Sequence, residues 1–311
     1  MKVLVLGAGA IGGYFGGKLA AAGGDVTFLV RPGRKAQLDR DGLVITGPSG
    51  DVKIAVKTVL AADVHADYDV VLFTAKSYDL ESAMDAITPA MKGDCAVLPM
   101  LNGLSHLDAL DARFGREHVL GGLCAIAATM KKDGTIVQIG DFQRMVLGAR
   151  TENTTQAVAF ANALAKTTID YELSDRIELD LWEKLAFLSA AAALTCLFRA
   201  NIAEIMAAPG GPEAIDRAIK ANIEIAAREG FPLRQPALDF MYRTLTTPSK
   251  LTASMLRDVE SGSAVESDHV VGLMLGYARK HSIDDTILSL AYTHLKAYEN
   301  RRAAGRAVVI A

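Results

Sequence analysis

The chain opens KVLVLGAGAIGGYFGGKLAAAGGDVTFLVR, and the placing of its glycines leaves few folds open. Residues 2–6 read as a short buried strand. Gly7, Gly9 and Gly12 follow at GxGxxG spacing, residues 11–21 as a helix of small residues that Gly23 and Gly24 end, and residues 26–30 as a second strand. Strand, glycine turn, helix and strand within about 30 residues make a βαβ unit. Gly7 permits the tight turn, Gly9 lets backbone N–H groups approach a pyrophosphate at the positive helix end, and Gly12 lets helix and strand pack closely. Ala8, Ala10 and Ile11 complete this candidate cofactor cradle.

The residue that reads the adenosine ribose is expected at the end of the second strand, roughly 20 residues after the glycines. Here it is Arg31, followed by Arg34 and Lys35. A carboxylate at that place would accept from a free 2′-hydroxyl, whereas a guanidinium suits a 2′-phosphate. The expected cofactor is therefore NADP(H). Further β runs lie near residues 52–56, at DVVLFTA (69–75), at CAVLPM (95–100) and in GGLCAIAAT, TIVQIG and MVLGA up to about residue 149. The first of them suit a Rossmann-type doubly wound α/β sheet, with the later ones as its mixed edge. Ligands in such sheets bind beyond the carboxyl ends of the strands. Lys76 and Asn102 stand at two such ends and are cofactor candidates.

After about residue 170 the pattern turns helical. ELDLWEKLAFLSAAAALTCLF, PEAIDRAIKANIEIAAREG, PALDFMYRTLT, SAVESDHVVGLMLGYARKHS and TILSLAYTHLKAYENRR read as five helices. At 311 residues the chain exceeds what one core usually fills. Two domains are expected: residues 1–170 for NADP(H), and a mainly helical 171–311 for substrate and catalysis. The net charge of −3 gives no general attraction to nucleic acid or anionic lipid. Cys95, Cys124 and Cys196 are odd in number and form no CxxC, which fits a reducing cytoplasm and neither a disulfide framework nor zinc. HExxH, GxSxG and a metal spacing among the histidines are absent, and no apolar export segment opens the chain. The longest uncharged apolar run, residues 185–198, is shorter than the roughly 20 residues that span a bilayer and reads as core.

Five fragments in order, LGAGAIGG (6–13), AKSYD (75–79), LNG (101–103), LWEKLAF (181–187) and SMLRD (254–258) with VESDHVVG (265–272), resemble the ketopantoate reductases (2-dehydropantoate 2-reductases) along essentially the whole chain. The resemblance implies NADPH-dependent reduction of a 2-oxo acid to the 2-hydroxy acid pantoate, for pantothenate synthesis. It places the proton-donating lysine at Lys184, which explains a lysine at the head of a run of alanine, leucine and phenylalanine. It also places the catalytic glutamate at Glu266, the active-site asparagine at Asn102 and a carboxylate-binding serine at Ser254, with Lys76, Ala128 and Glu266 along the cofactor. An ammonium suits that task, because the ketone oxygen gains negative charge as hydride reaches C2 and then needs a proton. The family carries two substrate-facing asparagines one and two turns beyond the lysine, and here those positions are Leu188 and Ala192. Losing both hydrogen-bonding groups bears on substrate choice more than on catalysis. Two other readings stay open, a paralogous reductase of another aliphatic 2-oxo acid and a non-catalytic NADPH-binding regulator. A homodimer through the helical domain is the expected assembly.

Overall fold

The computed structural model describes residues 1–306. Ten strands are present: β1 (Lys2–Leu6), β2 (Asp25–Leu29), β3 (Leu43–Thr46), β4 (Val52–Ile54), β5 (Lys57–Val59), β6 (Val70–Phe73), β7 (Ala96–Pro99), β8 (Gly121–Met130), β9 (Ile136–Gly148) and β10 (Asp170–Leu173). With them come α1 (Ala10–Ala21), α2 (Pro32–Asp41), α3 (Leu80–Ile87), α4 (Ser105–Phe114), α5 (Thr155–Leu164), α6 (Ile177–Phe198), α7 (Ile202–Ala207), α8 (Gly211–Arg228), α9 (Gln235–Leu245), α10 (Ser254–Glu260), α11 (Leu273–Lys280) and α12 (Thr286–Ala303). The described residues divide into two compact units, residues 1–101 with 106–178, and residues 102–105 with 179–306.

In the first unit a parallel sheet runs β5-β2-β1-β6-β7. Taken in chain order this is the 3-2-1-4-5 sequence of a doubly wound sheet, whose order reverses between β1 and β6. VVLF of β6 and AVLP of β7 are buried at every position, as strands covered on both faces must be. The later β runs do not form a mixed edge of this sheet. They build a second sheet, β10-β9-β3-β4 with β8 paired to β9.

Helix α1 is made of small residues because it meets side chains from both sheets. A Cβ on Gly16 would stand 2.8 Å from Val5 and 2.9 Å from Phe28 of the first sheet. One on Gly13 would stand 2.3 Å from Ile136, and one on Gly17 2.6 Å from Leu43, of the second. The two members of each adjacent glycine pair thus turn to opposite layers, and the helix has no polar face to mark it as amphipathic. Tyr14 adds a polar pin within this apolar packing. Its hydroxyl lies 2.9 Å from Gln138 Oε1 and 2.6 Å from Gln143 Oε1 of β9.

The second unit is helical. Its core gathers α6 residues such as Leu185, Ala193 and Leu194 with Ile215, Ile219 and Ile225 of α8, Met274 and Leu275 of α11, and Leu295 of α12. Helix α8 places apolar residues on one side at helical spacing, as an amphipathic surface helix does. Helix α6 has the length and hydropathy of a membrane-spanning helix, but 67% of its most apolar stretch is buried inside the protein, which makes it a core helix. The helix expected from residue 263 starts only at Asp268. Residues 261–267 are not helical, a π-helical turn covers Asp268–Gly272, and α11 begins at Leu273. Such wide turns tend to occur where a helix is shaped around a functional site.

Candidate active site

In the first unit the glycine turn follows β1, and Gly9 caps α1 in an extended conformation with no side-chain capping bond and no acidic residue in the first turn. A Cβ at Gly9 would meet nothing within 4 Å, whereas one at Gly12 would lie 2.3 Å from the Gly7 carbonyl oxygen and 2.4 Å from Thr74 Oγ1. The two glycines therefore do different work. Gly12 is required by packing, and Gly9 keeps space clear in front of a positive helix end. That space and the absence of an acid fit the pyrophosphate of a dinucleotide. Thr74, just past β6, donates to the Leu6 carbonyl at 2.7 Å and fixes the floor of the turn.

Three cations were grouped after β2 in the sequence, and the structure separates them. Arg34 donates from Nε and Nη2 to the Ala8 carbonyl at 3.2 and 2.9 Å, so it braces the glycine turn from outside. Lys35 bonds Asp39 and Thr58. Arg31 remains 84% exposed and pairs with Asp79 at 3.0 Å. Lys76 is exposed at the start of the single turn Ser77–Asp79 that follows β6. Ala128 sits on β8 in the second sheet, at a register irregularity opposite Gln138.

In the second unit a cleft open to solvent is lined by Asn102, Leu188, Ala192, Ala253, Ser254, Met255, Asp258, Glu266 and Val270. Five of these are residues singled out from the sequence: Asn102, Leu188, Ala192, Ser254 and Glu266. Lys184 is not a wall of the cleft. It is half-buried one turn before Leu188 on α6, and the i, i+4 spacing puts Lys184, Leu188 and Ala192 on one helix face. Leu188 and Ala192 therefore line the cleft where hydrogen-bonding groups are absent, and Val270 and Met255 add to the apolar surface.

Each polar wall residue has a local cause. The Asn102 loop leaves β7 yet belongs with the second unit. Gly103, at φ +82°, comes so near the π-helical turn that a Cβ would stand 2.0 Å from the His269 carbonyl oxygen, and Ser105 Oγ bonds His269 Nδ1 at 2.6 Å. Ser254 opens α10. The preceding Ala253 N–H donates to Thr195 Oγ1 of α6 at 3.3 Å, and that bond ties the start of α10 to the helix carrying Leu188. Glu266 is 9% exposed, just ahead of the π-helical turn. Asp258, in the SMLRD fragment, also lines the cleft, and sequence reasoning missed it. The i, i+4 spacing from Ser254 was the available signal. The three cysteines are buried and form no disulfide, and burial pushes the Cys95 and Cys196 thiols up to about 12, so neither of these two offers a thiolate at neutral pH.

Comparison with known proteins places the chain in a family. Residues 3–152 match the family described as Ketopantoate reductase PanE/ApbA, and residues 176–299 match its C-terminal part. An uncharacterized oxidoreductase of Bacillus subtilis, YkpB, is 35% identical over 96% of this chain and 99% of its own length. The 2-dehydropantoate 2-reductase of Pyrococcus abyssi is 26% identical over 96% and 98%. Among solved structures, a PanE/ApbA family ketopantoate reductase from Ralstonia eutropha superposes with a TM-score of 0.87 at 26% identity, over 97% of this chain and 100% of that one. D-mandelate dehydrogenase with NADH and anilino(oxo)acetate shares the fold, with a TM-score of 0.85 at 21% identity over 97% of this chain and 100% of that one. The chain belongs to the ketopantoate reductase family, and it is an NADP(H)-dependent oxidoreductase of 2-oxo acids.

Proposed function

We propose that this chain reduces 2-dehydropantoate to pantoate, and that the same cleft accepts branched aliphatic 2-oxo acids lacking the 4-hydroxyl. Bound NADPH supplies the hydride that arrives at C2. The chain's own residues manage the rest. Asn102 and Ser254 hold the carboxylate end by hydrogen bonds, the Lys184 ammonium faces the developing alkoxide and gives it a proton, and Glu266 orients that ammonium. The observation that supports this reading is the meeting of Asn102, Ser254 and Glu266 with Leu188 and Ala192 around one cleft.

Asp258 on the same wall favours ketopantoate, since a carboxylate accepts from a hydroxyl. Leu188, Ala192 and Val270 favour the deoxy analogue, because an apolar wall gives a hydroxyl no partner. An apolar pocket separates two substrates that differ by a hydroxyl by about 100-fold at most, whereas a site built to bond the hydroxyl reaches about 10⁴-fold or more. The test is the ratio of kcat/KM for ketopantoate and its deoxy analogue. We expect a ratio within about 100-fold, moved toward ketopantoate in the Leu188→Asn, Ala192→Asn double variant. A parent ratio of about 10⁴ would show that Asp258 or another group satisfies the hydroxyl fully. NADPH oxidation with neither acid would refute the proposed function.

A further inference from the structure

The Arg31–Asp79 ion pair occupies a particular place. Arg31 follows β2 and Asp79 lies in the turn after β6, and the sheet order sets β1 between those two strands. Strands are spaced about 4.8 Å apart, so a bond between the loops of β2 and β6 has to reach across the end of β1. The glycine turn follows that end. The Arg31 Nη2 to Asp79 Oδ2 distance is 3.0 Å. Nothing in the local fold demands the carboxylate: Asp79 stands at the start of α3 but makes no side-chain capping bond, and the bond from Ser82 goes to its backbone carbonyl.

A guanidinium there suits a 2′-phosphate, and a carboxylate suits a free 2′-hydroxyl. This chain holds one of each in contact. We propose that Asp79 is a specificity-determining residue for the cofactor, which competes with the 2′-phosphate of NADPH for Arg31 and accepts from the 2′-hydroxyl of NADH, so that the protein uses both nucleotides. The proposal rests on the reading of Arg31 as the residue that meets the phosphate. With NADPH, Arg31 exchanges Asp79 for the phosphate, and the displaced carboxylate repels the same group. With NADH the pair stays closed and Asp79 still has an oxygen lone pair to offer.

The experiment is calorimetric measurement of the dissociation constants of NADPH and NADH, at low salt because the pair is exposed and screened. The proteins are the parent, Asp79→Asn, Asp79→Glu, Arg31→Ala and the double variant Arg31→Ala, Asp79→Asn. Asp79→Asn should tighten NADPH and weaken NADH, which together shift their affinity ratio by about tenfold. Asp79→Glu should stay near the parent ratio. In the Arg31→Ala background the Asn substitution should no longer tighten NADPH beyond removal of the repulsion, so the two effects are not additive. An Asp79→Asn ratio within twofold of the parent overturns the proposal while leaving Arg31 as the phosphate reader. Unchanged NADPH affinity in Arg31→Ala overturns both, and the two failures are thereby told apart.

Discussion

Replacing Gly9 by alanine tests whether the space before α1 is kept for a ligand or is incidental. Gly9 has φ −85° and ψ −162°, which alanine adopts without strain, and an added Cβ meets nothing within 4 Å. Two small terms act on folding. Alanine is a poorer helix N-cap than glycine by up to roughly 1 kcal/mol, and the loss of unfolded-state freedom returns about 0.4–1 kcal/mol. They nearly cancel, so Tm should hardly move. Cofactor binding should suffer, because the methyl group keeps the pyrophosphate from the N–H groups of the first turn. Losing one charge-assisted bond of about 1.5–3 kcal/mol raises the NADPH Kd roughly 10- to 150-fold. Gly12→Ala is the contrast: its Cβ would sit 2.3 Å from the Gly7 carbonyl, where backbone on both sides of the turn has to shift. An overpacked site of that kind costs about 1–3 kcal/mol and should lower Tm visibly. Calorimetric Kd values and thermal melts on both variants decide the matter. A Gly9→Ala protein that binds NADPH like the parent, or melts as early as Gly12→Ala, would refute the reasoning.

Gly103→Ala should misplace Asn102, because a Cβ at φ +82° and 2.0 Å from the His269 carbonyl forces the loop off the π-helical turn. Misplacement of a positioning group by about 1 Å costs on the order of 10²-fold in rate, and a kcat/KM near the parent value would contradict this. Stability should fall with acid through Glu229, which closes α8 onto the end of α11 by bonding Lys280 and His281. Burial raises the Glu229 carboxyl and those two bonds outweigh it, so it sits below its ordinary value of 4.5. A carboxyl depressed in the folded state stabilises at neutral pH and stops doing so as pH falls below about 4.5 and through its folded value. Urea midpoints measured from about pH 6 to pH 3 should decline less steeply in Glu229→Gln than in the parent, and equal slopes would exclude this role.

The glycine turn, the parallel strands and the helical second half were legible because each rests on local periodicity. β6 and β7 announced themselves as short apolar runs that only a doubly covered sheet can bury. The second sheet was not legible. It joins Ile45 of β3 to Ile136 of β9, and pairing across so much intervening chain leaves no mark in either segment. The late start of the helix expected from residue 263 was hidden for a related reason: the helical pattern extends back through residues 263–267, while the chain there is irregular and brings Glu266 to the cleft. Within the site, Asn102 was marked by its place past the end of a strand, and Leu188, Ala192, Ser254 and Glu266 came from the family likeness, with Asp258 overlooked. The likeness could not reveal that Arg34 turns back to the Ala8 carbonyl while Arg31 meets Asp79, since those are properties of side-chain direction.

The central claim is that a proton from Lys184 completes reduction of a 2-oxo acid. Its most direct test is ketopantoate-dependent NADPH oxidation by Lys184→Ala and Lys184→Arg, measured beside the NADPH affinity of each protein. Arginine keeps the charge but does not release a proton at working pH, so both variants should bind NADPH like the parent and lose on the order of 10²- to 10⁴-fold in turnover. Near-normal turnover by Lys184→Ala would contradict the account.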